Sequence, residues 1–104
     1  MDPMVDMARI RRETLRWLIL LTLNNARPLG AMEMVVLSVV QATYPDATPM
    51  ELRRELDYLH GRELVRVDKR PDGPWHAELT RHGVDVSEYT VACEPGVARP
   101  AKYW

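Results

Sequence analysis

A chain of 104 residues has room for one domain around one core. Apolar residues make up 46% of it and charged residues 28%, which excludes both a disordered composition and a membrane-embedded one. Fourteen basic residues against fifteen acidic ones give a net charge of −1, which excludes nucleic-acid binding driven by whole-domain charge and confines any such role to local patches.

Asp6 to about Asn25 reads as a helix. Ile10, Thr14, Trp17, Leu18 and Leu21 recur at three- and four-residue steps as one apolar face, with Arg9, Arg12, Glu13 and Arg16 on the other side. From Trp17 onward, Ile19, Leu20 and Leu23 make the segment apolar nearly all round, so the rest of the domain or a second copy must enclose it. This apolar stretch falls far short of the roughly 20 residues that cross a bilayer. Asn24, Asn25, Pro28 and Gly30 end the helix.

A second helix is predicted from about Ala31 to Thr43. Its strongly polar positions, Glu33, Ser38 and Gln41, span an arc of about 140° at 100° per residue, which leaves most of the circumference for burial. The valines also permit a strand, but the run lacks period-two alternation. The third helix has the clearest start: Thr48 as N-cap, Pro49 at the first helical position and Glu51 three residues after the cap form a capping box. Leu52, Leu56 and Leu59 line one face, and Gly61 is the stop.

Glu63 to Lys69 alternates, with Leu64, Val65 and Val67 apolar against Arg66 and Asp68. Trp75, Ala77 and Leu79 then alternate with His76 and Glu78, and the Arg-Pro-Asp-Gly-Pro run between the two segments carries turn chemistry. Thr80 can cap a short final helix, about Arg81 to Glu88. Three helices, a two-stranded hairpin and a short closing helix describe a mainly α fold, a winged helix-turn-helix over residues 1–90. The extended tail, residues 91–104, ends in Tyr103 and Trp104 and is expected to pack on the domain or on a partner.

Leu59, Leu64, Val65, Arg66, Leu79, Thr80 and Gly83 resemble the wing signature of winged-helix regulators of the MarR and PadR kind. Leu79-Thr80-Arg81-His82-Gly83-Val84-Asp85-Val86, followed by Pro95-Gly96-Val97-Ala98-Arg99-Pro100, resembles a family of small proteins of Mu-like transposable bacteriophages and prophages. That resemblance runs over nearly the whole chain. It implies a winged-helix fold and a phage or prophage source, and it assigns no site residues.

With the leucine face turned inward, 100° steps put Met50, Arg54, Asp57, Tyr58 and Gly61 outward on the third helix, with Arg53 on the flank. Arg53, Arg54 and Tyr58 suit phosphate and base-edge contacts, whereas Asp57 does not unless it meets a cytosine amino group. Pairing of Glu51 with Arg54 and of Arg53 with Asp57 gives the alternative of a self-neutralised, solvated face. On the hairpin, Arg66, Lys69 and Arg70 are the phosphate-holding candidates, and a basic turn that merely keeps the hairpin soluble is the other reading. Arg9, Arg11, Arg12 and Arg16 either flank DNA in a dimer or solubilise a helix end. Trp75 is expected to pack under the wing.

No catalytic residue, metal or cofactor is predicted. His60, His76 and His82 lack zinc-ligand spacing, Cys93 has no evident base, and no glycine-rich phosphate loop precedes a helix. One cysteine forms no internal disulfide and fits a reducing compartment. Asp2 and Asp6 stand where a secretory leader would be basic, so a bacterial-type cytoplasm is expected. These features point to a non-enzymatic duplex-DNA binder, a regulator or accessory factor, dimerising through its first two helices. The alternative is a winged helix used for protein interaction in phage assembly or host takeover.

Overall fold

The computed structural model describes residues 3–104, with side chains from Asp6 onward; Asp2 lies outside that range. In chain order the elements are α1 (Pro3–Asn25), β1 (Ala31–Met32), α2 (Glu33–Thr43), α3 (Pro49–Gly61), β2 (Val65–Asp68), β3 (His76–Leu79) and α4 (Arg81–Ser87). The strands form one antiparallel sheet in the order β1-β3-β2. This is the winged helix-turn-helix arrangement: α2 and α3 are the turn-linked pair, and the β2–β3 hairpin is the wing. None of the described helices is long and apolar enough to cross a membrane.

The N-caps hold at atomic level, but the reciprocal half of the Thr48/Glu51 capping box does not form, because the Glu51 carboxylate is taken by Arg11. Thr48 Oγ1 accepts from the Glu51 amide, with Pro49 in the first turn, and Thr80 Oγ1 accepts from the Gly83 amide to open α4. The wing pairs Val65 with Leu79 and Val67 with Ala77, so the expected alternation puts Val65, Ala77 and Leu79 on the buried side. The third strand was not expected. Ala31 and Met32, predicted as the start of the second helix, pair with Ala77 and His76 instead. Gly30, at φ +72°, makes this possible, because a Cβ there would sit 2.4 Å from the Ala77 carbonyl oxygen.

α1 runs through the middle of the domain, with Leu15, Ile19, Leu20 and Leu23 fully buried against Val36, Val40, Leu52, Leu56, Leu59 and Val86. Its inward face is therefore Leu15/Ile19/Leu20/Leu23 with Trp17, a correction to the predicted stripe: Ile10 is exposed. The domain itself encloses the all-round apolar half of α1.

α2 reverses the expected polarity. Glu33 is 7% exposed, and Gln41 turns in to donate to the Ala47 carbonyl at 2.9 Å. Met34, Val35 and Val39 face solvent at 70%, 55% and 42% exposure. Two polar residues that are satisfied inside let the apolar ones point out, and residue type alone does not reveal that exchange.

Residues 91–104 fold back over the domain. The Ala98 amide donates to the Glu13 carbonyl, Arg99 donates to the carbonyls of Val86 and Val91, and Val97 is buried. Tyr89 meets Trp17 edge-on at 6.1 Å and Trp104 at 4.8 Å, while Tyr103 stays exposed.

Candidate nucleic-acid interface

The solvent face of α3 has three zones. One flank meets the wing, the opposite flank lies beneath the tail, and Arg54 stands exposed between them.

The wing flank is built on Glu33. Its carboxylate accepts from Arg53 Nε at 2.7 Å and from Arg53 Nη2 at 2.5 Å, and Oε1 also accepts from the Trp75 amide at 3.0 Å. The Glu33 amide donates back to the Trp75 carbonyl at 2.8 Å. One acidic side chain thereby joins the start of α2, the helix α3 and the base of the wing. The Arg53 hydrogen bonds hold the Glu33 carboxyl below its ordinary value against the opposing effect of burial, and the same contact raises Arg53. Arg53 also lies 4.5 Å from the Trp75 ring centroid, and Lys69 Nζ lies 4.9 Å from it. Trp75 is therefore the packing surface between helix and wing, as expected. Lys69 in turn reaches Asp57 on α3 at 2.5 Å.

The tail flank holds Tyr58. The Arg16 guanidinium sits 3.4 Å from its ring centroid, and Arg62 Nη1 donates to its hydroxyl at 2.5 Å. Gly96, at φ +111°, packs so closely that a Cβ there would fall 2.1 Å from that hydroxyl. Tyr58 thus belongs to the junction of α1, α3 and the tail, away from the centre of the solvent face of α3. Beneath it, Arg16 Nε donates to Glu55 at 2.7 Å, and Arg16 Nη1 donates to the Gly96 carbonyl at 2.8 Å.

The helix pairs expected within α3 do not form. Glu51 receives two hydrogen bonds from Arg11, at 2.8 and 2.9 Å, and Arg11 also reaches Asp46 at 3.0 Å. These bonds lower the Glu51 carboxyl and raise the Arg11 guanidinium. Arg11 and Arg16 are consequently internal ties between α1 and α3, whereas Arg9, beside Glu13 at 3.4 Å, and Arg12 are exposed. Among the described residues Arg54 has no ion pair, which makes it the open guanidinium of the face.

The wing candidates are loosely matched. Arg66 lies 3.7 Å from Glu78 and Arg70 lies 3.8 Å from Asp68, and all four side chains are substantially exposed. Such pairs contribute about 0–1 kcal/mol each and exchange readily for another anion. Arg53 and Lys69 thus meet at Trp75 between α3 and the wing, Arg54 is exposed on α3, Arg66 and Arg70 are exposed on the wing, and Tyr58 is set apart under the tail.

Two structural carboxylates escaped the sequence reading. For Glu55 there was a signal, because Leu52, Glu55, Leu56 and Leu59 stand at i, i+3, i+4 and i+7, which puts a charge on the leucine stripe. For Glu33 there was none. Among the described residues no three His, Cys, Asp or Glu side chains gather as metal ligands.

No family model matches the chain, and no curated protein matches it. Among solved structures, a Ralstonia eutropha JMP134 protein described as a "putative DNA-binding protein" superposes with a TM-score of 0.62 at 23% identity, over 75% of this chain and 95% of its own. The likeness is one of fold.

Proposed function

We propose that the chain binds duplex DNA, with α3 in the major groove and the wing along the phosphate backbone, as a transcriptional regulator or accessory DNA factor. The observation that carries this reading is Arg54, an exposed guanidinium without an ion pair among the described residues, on the solvent face of the capped helix α3, in a fold whose wing carries exchangeable basic residues. The Ralstonia structure, which shares the fold and is described in DNA-binding terms, supports it. In this reading Arg54 contacts base edges, and Arg53 braces the wing against the helix. Arg66 and Arg70 move from their carboxylates to phosphates, Lys69 keeps Asp57 and turns its remaining N–H donors to phosphate, and Tyr58 holds the helix orientation from beneath the tail. The protein works in a bacterial cytoplasm without a cofactor. A Mu-like phage or prophage source rests on the two C-terminal motifs alone.

Affinity for a mixed-sequence duplex, followed by fluorescence anisotropy from 50 to 300 mM salt, tests the reading. With about three or four phosphates engaged per subunit, log K falls with log salt at a slope of about −2.7 to −3.6 per subunit. A flat response, or no binding, contradicts it and favours the protein-interaction alternative.

A homodimer belongs to the same proposal, now through α2 alone. Met34, Val35, Ser38, Val39 and Ala42 make its solvent face, with no charged side chain among them. An uncharged apolar face suits an identical partner across a two-fold axis, where each α2 covers the other. Val35→Glu is expected to give a monomer by sedimentation, with the helical circular dichroism of the wild type. A wild type that already sediments as a monomer at tens of micromolar contradicts the dimer.

A further inference from the structure

Both acids that helical spacing offers to Arg54 are occupied elsewhere. Glu51, three residues before it, is gripped by Arg11 through two hydrogen bonds, and Asp57, three residues after it, is gripped by Lys69 at 2.5 Å. Without those outside partners Arg54 would have an intrahelical carboxylate on either side. Arg11 and Lys69 together leave Arg54 without an ion pair among the described residues, and Lys69 also fixes the exposed carboxylate beside it on α3.

That carboxylate sets a chemical condition on whatever meets the helix. An ionised Asp only accepts hydrogen bonds. In the major groove guanine offers two acceptors and thymine offers an acceptor and a methyl group, so Asp57 is repelled or unmatched there. Cytosine offers its amino group with no neighbouring acceptor of its own. A guanidinium has the opposite preference and matches guanine O6 and N7 with two parallel donors. Arg54 and Asp57 are neighbours on one helix surface, about 5–6 Å apart at Cβ. Their preferences match the guanine and cytosine edges of a G·C pair.

We propose, building on the DNA-binding reading above, that Arg54 and Asp57 form a donor–acceptor pair that makes the protein select a G·C base pair beneath α3. Arg54 takes the guanine edge and Asp57 accepts from the cytosine amino group. Lys69 is a positioning residue, which orients the carboxylate and offsets its charge against the phosphates. Asp57 is then a filter more than a source of affinity: it weakens binding to every sequence and weakens it least where cytosine lies opposite.

The test is selection from a randomised duplex pool by the wild type, Asp57→Ala and Arg54→Ala. Both variants are expected to keep the wild-type circular dichroism, because both side chains are exposed. The wild type is expected to enrich G·C at one fixed position. Asp57→Ala removes the cytosine preference there, a drop of about tenfold in discrimination, while affinity for random duplex stays equal or rises. Arg54→Ala removes the guanine preference. A wild-type consensus with A·T at that position, or an Asp57→Ala consensus identical to that of the wild type, overturns the proposal and leaves the DNA-binding reading standing. Absence of duplex binding by the wild type at every salt concentration overturns both.

Discussion

Replacing Glu55 by alanine is expected to lower the free energy of unfolding by about 3–5 kcal/mol, measured by urea denaturation with tryptophan fluorescence. The Glu55 side chain is 2% exposed and that of Arg16 is 11%, and they meet at 2.7 Å. Removing the carboxylate strands a guanidinium inside the domain. The Gly96 carbonyl and the face of Tyr58 are all that remain to stabilise it there. Against a total stability of about 5–15 kcal/mol for a domain of this kind, the loss is a large fraction of the whole. The same physics makes the paired replacement mild. Glu55→Leu combined with Arg16→Met removes both charges together and is expected to cost far less than Glu55→Ala, because no buried charge is left alone. A double variant as unstable as the single one contradicts the assignment of the pair as a coupled, desolvated unit.

Arg54→Ala is expected to act in the opposite register, with a change in stability within about 0.5 kcal/mol and a loss of specific DNA affinity of about 1–3 kcal/mol, roughly 5- to 150-fold. The separation follows from what the two arginines touch. Arg16 is spent on Glu55, Gly96 and Tyr58, so its role is structural, whereas Arg54 has no ion pair among the described residues and faces solvent. Competitive anisotropy against a selected site measures the loss. Unchanged affinity removes Arg54 from the interface.

The parts of the fold that could be read from the chain are those fixed by local chemistry. Thr48-Pro49 and Thr80 announce their helices because a hydroxyl satisfying an amide three residues on needs no distant partner. The alternation about Val65–Val67 and Ala77–Leu79 likewise reports its own buried face. The parts that could not be read depend on who the partner is. Ala31–Met32 is a strand only because β3 lies beside it, and two residues carry no periodicity. On α2, Glu33 looks like a solvent-facing position until Arg53 and the Trp75 amide are brought to it from 20 and 42 residues away.

The candidate site shows the same division. The outward direction of Arg54 was legible, because it follows from the leucine stripe, and the exposure of Arg66 and Arg70 follows from the alternation and the turn. The pairing was not legible, since Glu51, Arg53 and Asp57 bond to Arg11, Glu33 and Lys69 on other elements in place of their helix neighbours. Tyr58, only a flank away from Arg54, could not be set apart without knowing that Gly96 and Arg62 would come to cover it.

The most direct test of the central claim is a titration of isotope-labelled protein with a selected duplex, following backbone amide shifts. The account predicts that shifts concentrate on Met50 to Asp57 of α3 and on Arg66 to Arg70 of the wing, with Met34, Val35 and Val39 of α2 unmoved. Shifts confined to α2 or the tail, with α3 and the wing silent, would contradict it.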